Sequence, residues 1–471
     1  MYHAAVRARA VIVGWLAVVL LVVCTTAPAL RDPPYWDCNV YVAEGRWAAA
    51  HGLDVDAWRH FPDVLKPPVF AAFVLGAGAA LDPSSSLVMH LFVLGFALAL
   101  VAATRSLLRA LGGDEAQALV AGALCATAPL FVAQAGLTLS DLPMAALATW
   151  AWVALVRGRI GAWLVLSALA VLTKESAYFL CVPALVLEWL RAGRSLPATA
   201  RRTFVFAWPG LVLAAWLLTL HALTGHAVPR LNRDALGANF ILDTLIHELV
   251  EGGRILLVAL AVVELRARRK QPRADGDAAV WATAAGVLAL PLMFPAPLPR
   301  YMLAGLPLVA ALAALGLPRL APRPRAFVVA AVVVANVAGW FGASWHANGG
   351  HHLDCNLRYR TLLRTQEAAV RAIAAERPRT VAAAFPLWFM LRDAGIPVVL
   401  AGGATPTAAL CSADFFVDAD QSAPVDDAAA RVHLVPWRSF GAPGLSVRVS
   451  RIDCAAGAPP RTPPAPPPSR D

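Results

Sequence analysis

The 471-residue chain is 59% hydrophobic and 15% charged, with a mean hydropathy of +0.62. Soluble domains run about 45–50% apolar and about 25% charged, so a water-soluble globule is excluded as the main body, and so is a disordered chain. The net charge of +10, from 40 Lys+Arg against 30 Asp+Glu, points to cytoplasmic loops rather than to nucleic acid, because membrane proteins retain Lys and Arg there.

A spanning helix needs about 20 mostly apolar residues. Runs of this kind fall at 11–30, 87–104, 116–135, 140–157, 161–173, 176–190, 204–222, 253–265, 279–295, 301–317 and 326–345. The first follows Arg7 and Arg9 as a signal peptide would, but it is long for a signal core and reads as an uncleaved span. A further run, 67–81, opens with Pro67 and Pro68 and carries Gly76 and Gly78. If it does not cross and the N-terminus is cytoplasmic, the loops up to residue 345 hold 18 Lys and Arg inside against 9 outside. If it crosses, every later loop flips and the count becomes 7 against 20. The positive-inside rule selects the first arrangement. The expectation is an all-α polytopic body over 1–345 with about 11 transmembrane helices. The run 67–81 then lies at, or dips into, the outer interface within a long first outer loop, 31–86.

An odd number of spans places the C-terminal tail outside as well. Residues 357–376 have helical apolar spacing, and TVAAAF, a helix near 386–394 and IPVVLA read as strand–helix–strand. ADFFVDA and LSVRVSRI read as further strands, so 346–456 is expected to be a small extracytoplasmic α/β domain. The Pro-rich end, 457–471, reads as disordered. No internal repeat is visible. Cys24, Cys125 and Cys181 lie in apolar spans and read as small core residues. Cys38, Cys355, Cys411 and Cys454 fall outside, where an oxidising compartment permits disulfides; four cysteines allow three pairings.

Ionisable groups near membrane depth are costly and raise a functional expectation. Asp37 (in PYWDCNVYVAEG), Lys66 (in LKPPVF), Asp141 (in LTLSDLPM), Lys174 (in LTKESAYF) and Arg300 (in PLPRYMLAGLP) come from separate regions, yet all land on the outer side. Asp37, Tyr41 and Glu44 have the spacing of one helical face; Glu175 and Tyr301 adjoin Lys174 and Arg300. Two acids and three bases on one side suit an anionic headgroup and a proton acceptor. Each residue has a plainer reading: Asp141 as a helix N-cap, Lys174-Glu175 as a solvated turn, Lys66 as an interfacial anchor, Arg300 as a topology exception, Asp37 as a surface acid. The shared sidedness favours the functional one. His351, His352, Asp354 and Cys355 read as a polar linker rather than a metal site, and no nucleotide-binding glycine loop or HExxH occurs.

An acid followed by Tyr in a long first outer loop, KPP on an interfacial helix, an Asp before an apolar span, LTK, and RYxLxxLPLVAALAA near the end resemble the membrane glycosyltransferases of the GT-C superfamily. The group holding the protein O-mannosyltransferases and the lipid A aminoarabinose transferase is the nearest resemblance, over roughly residues 10–345. It implies an inverting transfer from a polyprenyl-phosphate sugar on the outer face. Asp37 then matches the base that deprotonates the acceptor, and Asp141 a second carboxylate that orients or binds it. Lys66, Lys174 and Arg300 match positions near the donor phosphate, and Tyr41, Glu44, Glu175 and Tyr301 line the donor or acceptor pocket. Many relatives carry two adjacent acids where this chain has Asp37-Cys38. One metal ligand would be missing, so no metal site is assigned, and a divalent metal stays open as a cofactor. The implied partners are the carrier-linked sugar, a lipid, glycan or protein acceptor, and the bilayer. The Ala-, Arg- and Pro-rich composition suggests a GC-rich bacterium, and the expected location is a bacterial inner membrane. A transporter or lipid-carrier flippase is the alternative; such proteins tend to show internal repeats and midplane polar groups, whereas these charges sit at the outer ends. A non-catalytic scaffold presenting the outer domain leaves the charge pattern unexplained.

Overall fold

The computed structural model describes residues 2–61, 65–83, 85–225, 253–269, 275–293, 299–341, 355–401, 405–419, 426–429, 432–441 and 445–454. They divide into two compact units. The helical unit draws on Met1–Pro34, Val40–Ala347 and His352–Leu357, and the second on Tyr35–Asn39, Asn348–His351 and Arg358–Asp471.

Every apolar run read from the sequence is mostly helical over its described residues. Among the described residues, five helices are long and apolar enough to cross a membrane, or six if a bent pair is one span. The other runs form shorter or interrupted helices, such as Asp141–Val156 and Ile160–Val171. The run 67–81 becomes a π-helical stretch, Val69–Leu75, continued by a short α-helix, Gly76–Leu81. Gly45 allows the helix Cys38–His51 to pack on it closely, since a Cβ there would meet Leu75 Cβ at 2.8 Å.

The bent pair is Glu115–Thr127 and Pro129–Ala135, turned by 67°. Pro129 supplies no N–H, and Ala128 before it is extended, as residues preceding proline tend to be. The backbone groups freed at the break need partners. Trp340 Nε1 donates to the Thr127 carbonyl at 2.8 Å, and Asn336 Nδ2 to the Thr127 hydroxyl at 3.1 Å. The short second helix then turns through a fully buried loop, Gly136–Ser140, into Asp141.

Two buried acids gather arginines that the topology assigns to inside loops. Glu188 pairs with Arg202 at 2.7 Å and Arg191 at 3.3 Å. Glu264 pairs with Arg268 at 2.6 Å and Arg319 at 3.0 Å, and Arg268 also reaches Asp277 at 2.8 Å. Glu188 and Glu264 are buried, while Arg202 and Arg319 stay exposed, so these pairs sit at the edge of the helix packing.

The second unit is an α/β domain whose strands are β1 (Val381–Ala383), β2 (Val398–Leu400), β3 (Phe415–Ala419), β4 (His433–Phe440) and β5 (Val447–Asp453). The sheet order is β2-β1-β3-β5-β4. β1 pairs in parallel with β2 and β3, while β5 is antiparallel to β3 and β4. Alternation along β3 sends Phe415 and Val417 into one core, with Ile373, Leu387 and Val449, and Phe416 into a second, with Leu410 and Ala428. The helix Tyr359–Ala375 buries Leu362, Leu363, Gln366, Val370 and Ile373 at helical spacing. β4 went unread in the sequence because Pro436 interrupts it. It is an edge strand with a register shift between Pro436 and Arg438, the place where a sheet tolerates proline. Asp414 accepts from the Arg379 backbone N–H at 2.6 Å and from its guanidinium at 3.0 Å. Partial burial works against its charge, but these bonds hold the carboxyl below its ordinary range.

Of the cysteines expected outside, Cys411 and Cys454 form a disulfide that ties the Thr407–Cys411 helix to the end of β5. Cys38 and Cys355 are buried. The disulfide spans 43 residues, so its loss in Cys411→Ser should destabilise the α/β unit by about 2–4 kcal/mol. Limited proteolysis of the full chain over a urea series measures this; an unchanged midpoint would contradict it.

Candidate functional site

The site in the helical unit is built where regular α-helix gives out. Asp141 begins the helix Asp141–Val156 but caps nothing: Ser140 holds the N-cap position, and neither side chain makes a capping bond. The Asp141 carboxylate is 1% exposed. Its Oδ1 accepts from Lys174 Nζ at 2.6 Å, and its Oδ2 lies 3.8 Å from Arg300 Nε. Lys174 sits in the extended turn between the helix Ile160–Val171 and the 3-10 helix Glu175–Leu180; it is 7% exposed and is no solvated turn. Burial pulls its ammonium below the ordinary lysine range, opposed by the Asp141 carboxylate and reinforced by the Arg300 guanidinium. Arg300 lies in a 3-10 helix, Pro299–Gly305, and is also buried. The Tyr301 ring faces both cations, with Lys174 Nζ 3.9 Å and Arg300 Cζ 5.6 Å from its centroid.

Contacts extend from this trio to the segment 41–69. Ser140 Oγ donates to the Tyr41 hydroxyl at 2.8 Å, and Lys66 Nζ stands 5.7 Å from the Tyr41 ring centroid. Glu44, 1% exposed, accepts the Lys66 backbone N–H at 2.9 Å. The Val69 N–H donates to the Leu172 carbonyl at 2.8 Å, which stitches the KPP segment to the LTK turn. Tyr41, Glu44, Lys66, Asp141, Lys174, Arg300 and Tyr301 therefore form one contact network. Glu175 is half-buried beside it and acts on Lys174 through its charge.

Asp37 belongs with Tyr35–Asn39 to the second unit. It is half-buried and directly precedes the helix Cys38–His51, which carries Tyr41 and Glu44. Trp36 before it has φ +49°. That is a left-handed conformation which bulky residues rarely adopt, and such strained positions cost about 1–3 kcal/mol each.

Sequence reasoning missed several polar groups. Ser140 and the Leu172 carbonyl link the motifs. The Thr138, Thr173 and Ser176 hydroxyls are buried and lack a hydrogen-bond partner among the described residues. A buried, unbonded hydroxyl costs about 1–3 kcal/mol, which a polar ligand or water would recover. All three stand inside the LTLSD and LTKES strings, but Ser and Thr are common enough in apolar helices to attract no notice there. Among the described residues, no group of three His, Cys, Asp or Glu side chains could hold a metal ion. His351, His352 and Asp354 lie outside the described residues.

No protein-family model matches the chain, and no curated protein matches it. Solved structures do. ArnT from Cupriavidus metallidurans in the apo state superposes with a TM-score of 0.60 at 15% identity, over 93% of this chain and 98% of that one. The same protein bound to undecaprenyl phosphate gives 0.56 at 15% identity, over 95% and 99%. Arabinofuranosyltransferase AftD from Mycobacteria gives 0.51 at 16% identity, over 95% of this chain and 40% of that one. The chain shares the overall fold of these structures.

Removing the one acid between two buried cations should cost more than removing either cation. Asp141→Ala is expected to destabilise the protein by about 3–5 kcal/mol, the usual cost of breaking a buried pair. Lys174→Ala leaves Asp141 beside Arg300 and should cost less. Thermal unfolding of both variants in detergent gives the ranking, and a reversed order would contradict the assignment.

Proposed function

We propose that the protein is an integral membrane glycosyltransferase that moves a sugar from a polyprenyl-phosphate donor to an acceptor on the extracytoplasmic face of a bacterial inner membrane. The observation that carries this reading is the cluster of buried Lys174 and Arg300 on the single carboxylate of Asp141. Lys174 and Arg300 bring two buried cations to one place, and the Thr138, Thr173 and Ser176 hydroxyls beside Asp141 and Lys174 in the chain lack hydrogen-bond partners among the described residues. An anionic phosphate answers both needs. The occurrence of undecaprenyl phosphate in ArnT, a protein of the same fold, supports a polyprenyl carrier.

In the proposed reaction Asp37 takes the proton of an acceptor hydroxyl. The acceptor oxygen bonds to the anomeric carbon from the side opposite the carrier, so configuration inverts. The bond from that carbon to the phosphate oxygen breaks, and polyprenyl phosphate leaves with the electron pair. Lys66, Lys174 and Arg300 stabilise the charge that grows on the leaving phosphate. Asp141 orients the last two and keeps their charges from repelling each other, and Glu44 fixes the backbone that carries Lys66. The eleven-span topology places the first loop and the α/β unit outside.

The test uses purified full-length protein in detergent with a panel of radiolabelled polyprenyl-phosphate sugars and follows free polyprenyl phosphate. Wild type should release it and Asp37→Asn should not, while both remain folded. Release that persists in Asp37→Asn removes Asp37 as the base, and no release from any donor by folded wild type overturns the reading. Lys66→Ala and Arg300→Ala should raise the donor KM by about 10-fold or more, the value of a charge-assisted hydrogen bond, and leave the acceptor KM nearly unchanged. For sidedness, single cysteines replacing Arg59 and Arg109 in a cysteine-free chain should label from the outside and the inside respectively; labelling of position 109 from outside refutes the topology.

A further inference from the structure

We infer that the C-terminal α/β unit works in catalysis as the holder of Asp37, with Trp36 as the positioning residue through which it acts; this rests on the reading of Asp37 as the acceptor base.

The segment Tyr35–Asn39 groups with the C-terminal chain although more than 300 residues separate them in sequence. Side-chain contacts explain why. The Tyr35 ring, 4% exposed, packs at 5.4 Å from the buried ring of Tyr359, at the start of the helix Tyr359–Ala375. The Trp36 ring meets the edge of Phe385 at 5.2 Å and 82°, just after β1. Phe385 in turn stands edge-on to Phe389, on the helix Leu387–Asp393 that crosses the sheet's core. Edge-to-face aromatic pairs of this kind are directional as well as apolar, so they fix an orientation.

The backbone between those anchors is equally constrained. The Tyr35 carbonyl accepts the Cys38 N–H at 2.9 Å, which closes a tight turn with Trp36 and Asp37 at its two central positions. The Trp36 carbonyl accepts the Asn39 N–H at 3.1 Å and the Asn39 side-chain amide at 3.0 Å. A turn with positive φ at its first central residue ordinarily takes glycine there. Here that place holds tryptophan, at φ +49°. A connector would have no use for so unfavourable a residue. A ring that must be seated on Phe385 to hold the next side chain in one direction accounts for it, because strained backbone persists where surrounding contacts over-determine it. A base must be held in reach of the proton it removes, and small misplacements are expensive.

The experiment uses full-length protein in detergent and three variants: Trp36→Gly, Trp36→Phe and Phe385→Ala. Glycine suits the turn better than tryptophan, so Trp36→Gly should fold with an unchanged or raised melting temperature. Its kcat should nevertheless fall by about 10²-fold, the scale set by misplacing a catalytic group, with the donor KM unchanged. Trp36→Phe, which keeps a ring for Phe385, should recover most of that loss. Hydrogen–deuterium exchange of the peptide covering 32–44 supplies a readout that needs no turnover: exchange at Cys38 and Asn39 should rise in both Trp36→Gly and Phe385→Ala. Unchanged exchange in both would overturn the inference, as would raised exchange with undiminished kcat, or an equal loss in Trp36→Phe. If wild type turns over no donor, the glycosyltransferase reading falls separately, and the exchange data still decide whether the α/β unit holds the segment.

Discussion

The buried meeting of one carboxylate with two cations at Asp141, Lys174 and Arg300 is the constraint on which the helical unit turns. Taking three charges out of water costs far more than their mutual attraction returns unless the geometry is close and other polar groups complete it. Lys174 at 2.6 Å satisfies one carboxylate oxygen, Arg300 at 3.8 Å faces the other, and Tyr301 presents its ring to both cations. A core designed for stability alone would be better served by apolar side chains here. Charges retained at such cost, beside hydroxyls that lack partners among the described residues, underlie the proposal of an anion site here.

That geometry depends on where regular helix is interrupted. Lys66 precedes a π-helical stretch, Asp141 follows a proline break, and Lys174 and Arg300 lie at or in 3-10 helices. In an apolar surrounding, irregular backbone survives only where protein satisfies its polar groups. The chain does so locally: Trp340 and Asn336 serve the break at Pro129, Glu44 takes the Lys66 N–H, and Leu172 takes the Val69 N–H. The same groups that prevent orphaned hydrogen bonds also join the separate motifs into one network. The buried acids Glu188 and Glu264 serve a different end, each pairing with two arginines at helix ends and loops.

The α/β unit adds a second layer of constraint. Its sheet is built on β1 and β3, short strands whose alternation fills a core on each face. The proline-bearing β4 closes one edge, where a missing N–H is tolerated. Tyr35 and Trp36, a pair that would equally suit a membrane interface, are packed against aromatic rings of this unit. Aromatic side chains are equally at home at a lipid headgroup and in a protein core, so composition could not distinguish the two settings.

The sequence by itself determined what depends on local composition and on charge. Apolar runs located the helices, alternation located all the strands except the one that proline interrupts, and the imbalance of Lys and Arg selected a topology. That topology singled out Lys66, Lys174 and Arg300 as cations on the unexpected side. Only the tertiary structure decided which of these residues meet. Lys174 and Asp141 are 33 positions apart, and Ser140 and Tyr41 are 99 apart. Pairing across such distances is fixed by helix packing and by where helices break, and neither leaves a periodic mark in the chain. Asp37 stands just before the helix Cys38–His51 that carries Tyr41 and Glu44, in a tight turn with a left-handed tryptophan. Nothing local announces that turn, because the contacts that hold it are made with rings more than 300 residues away.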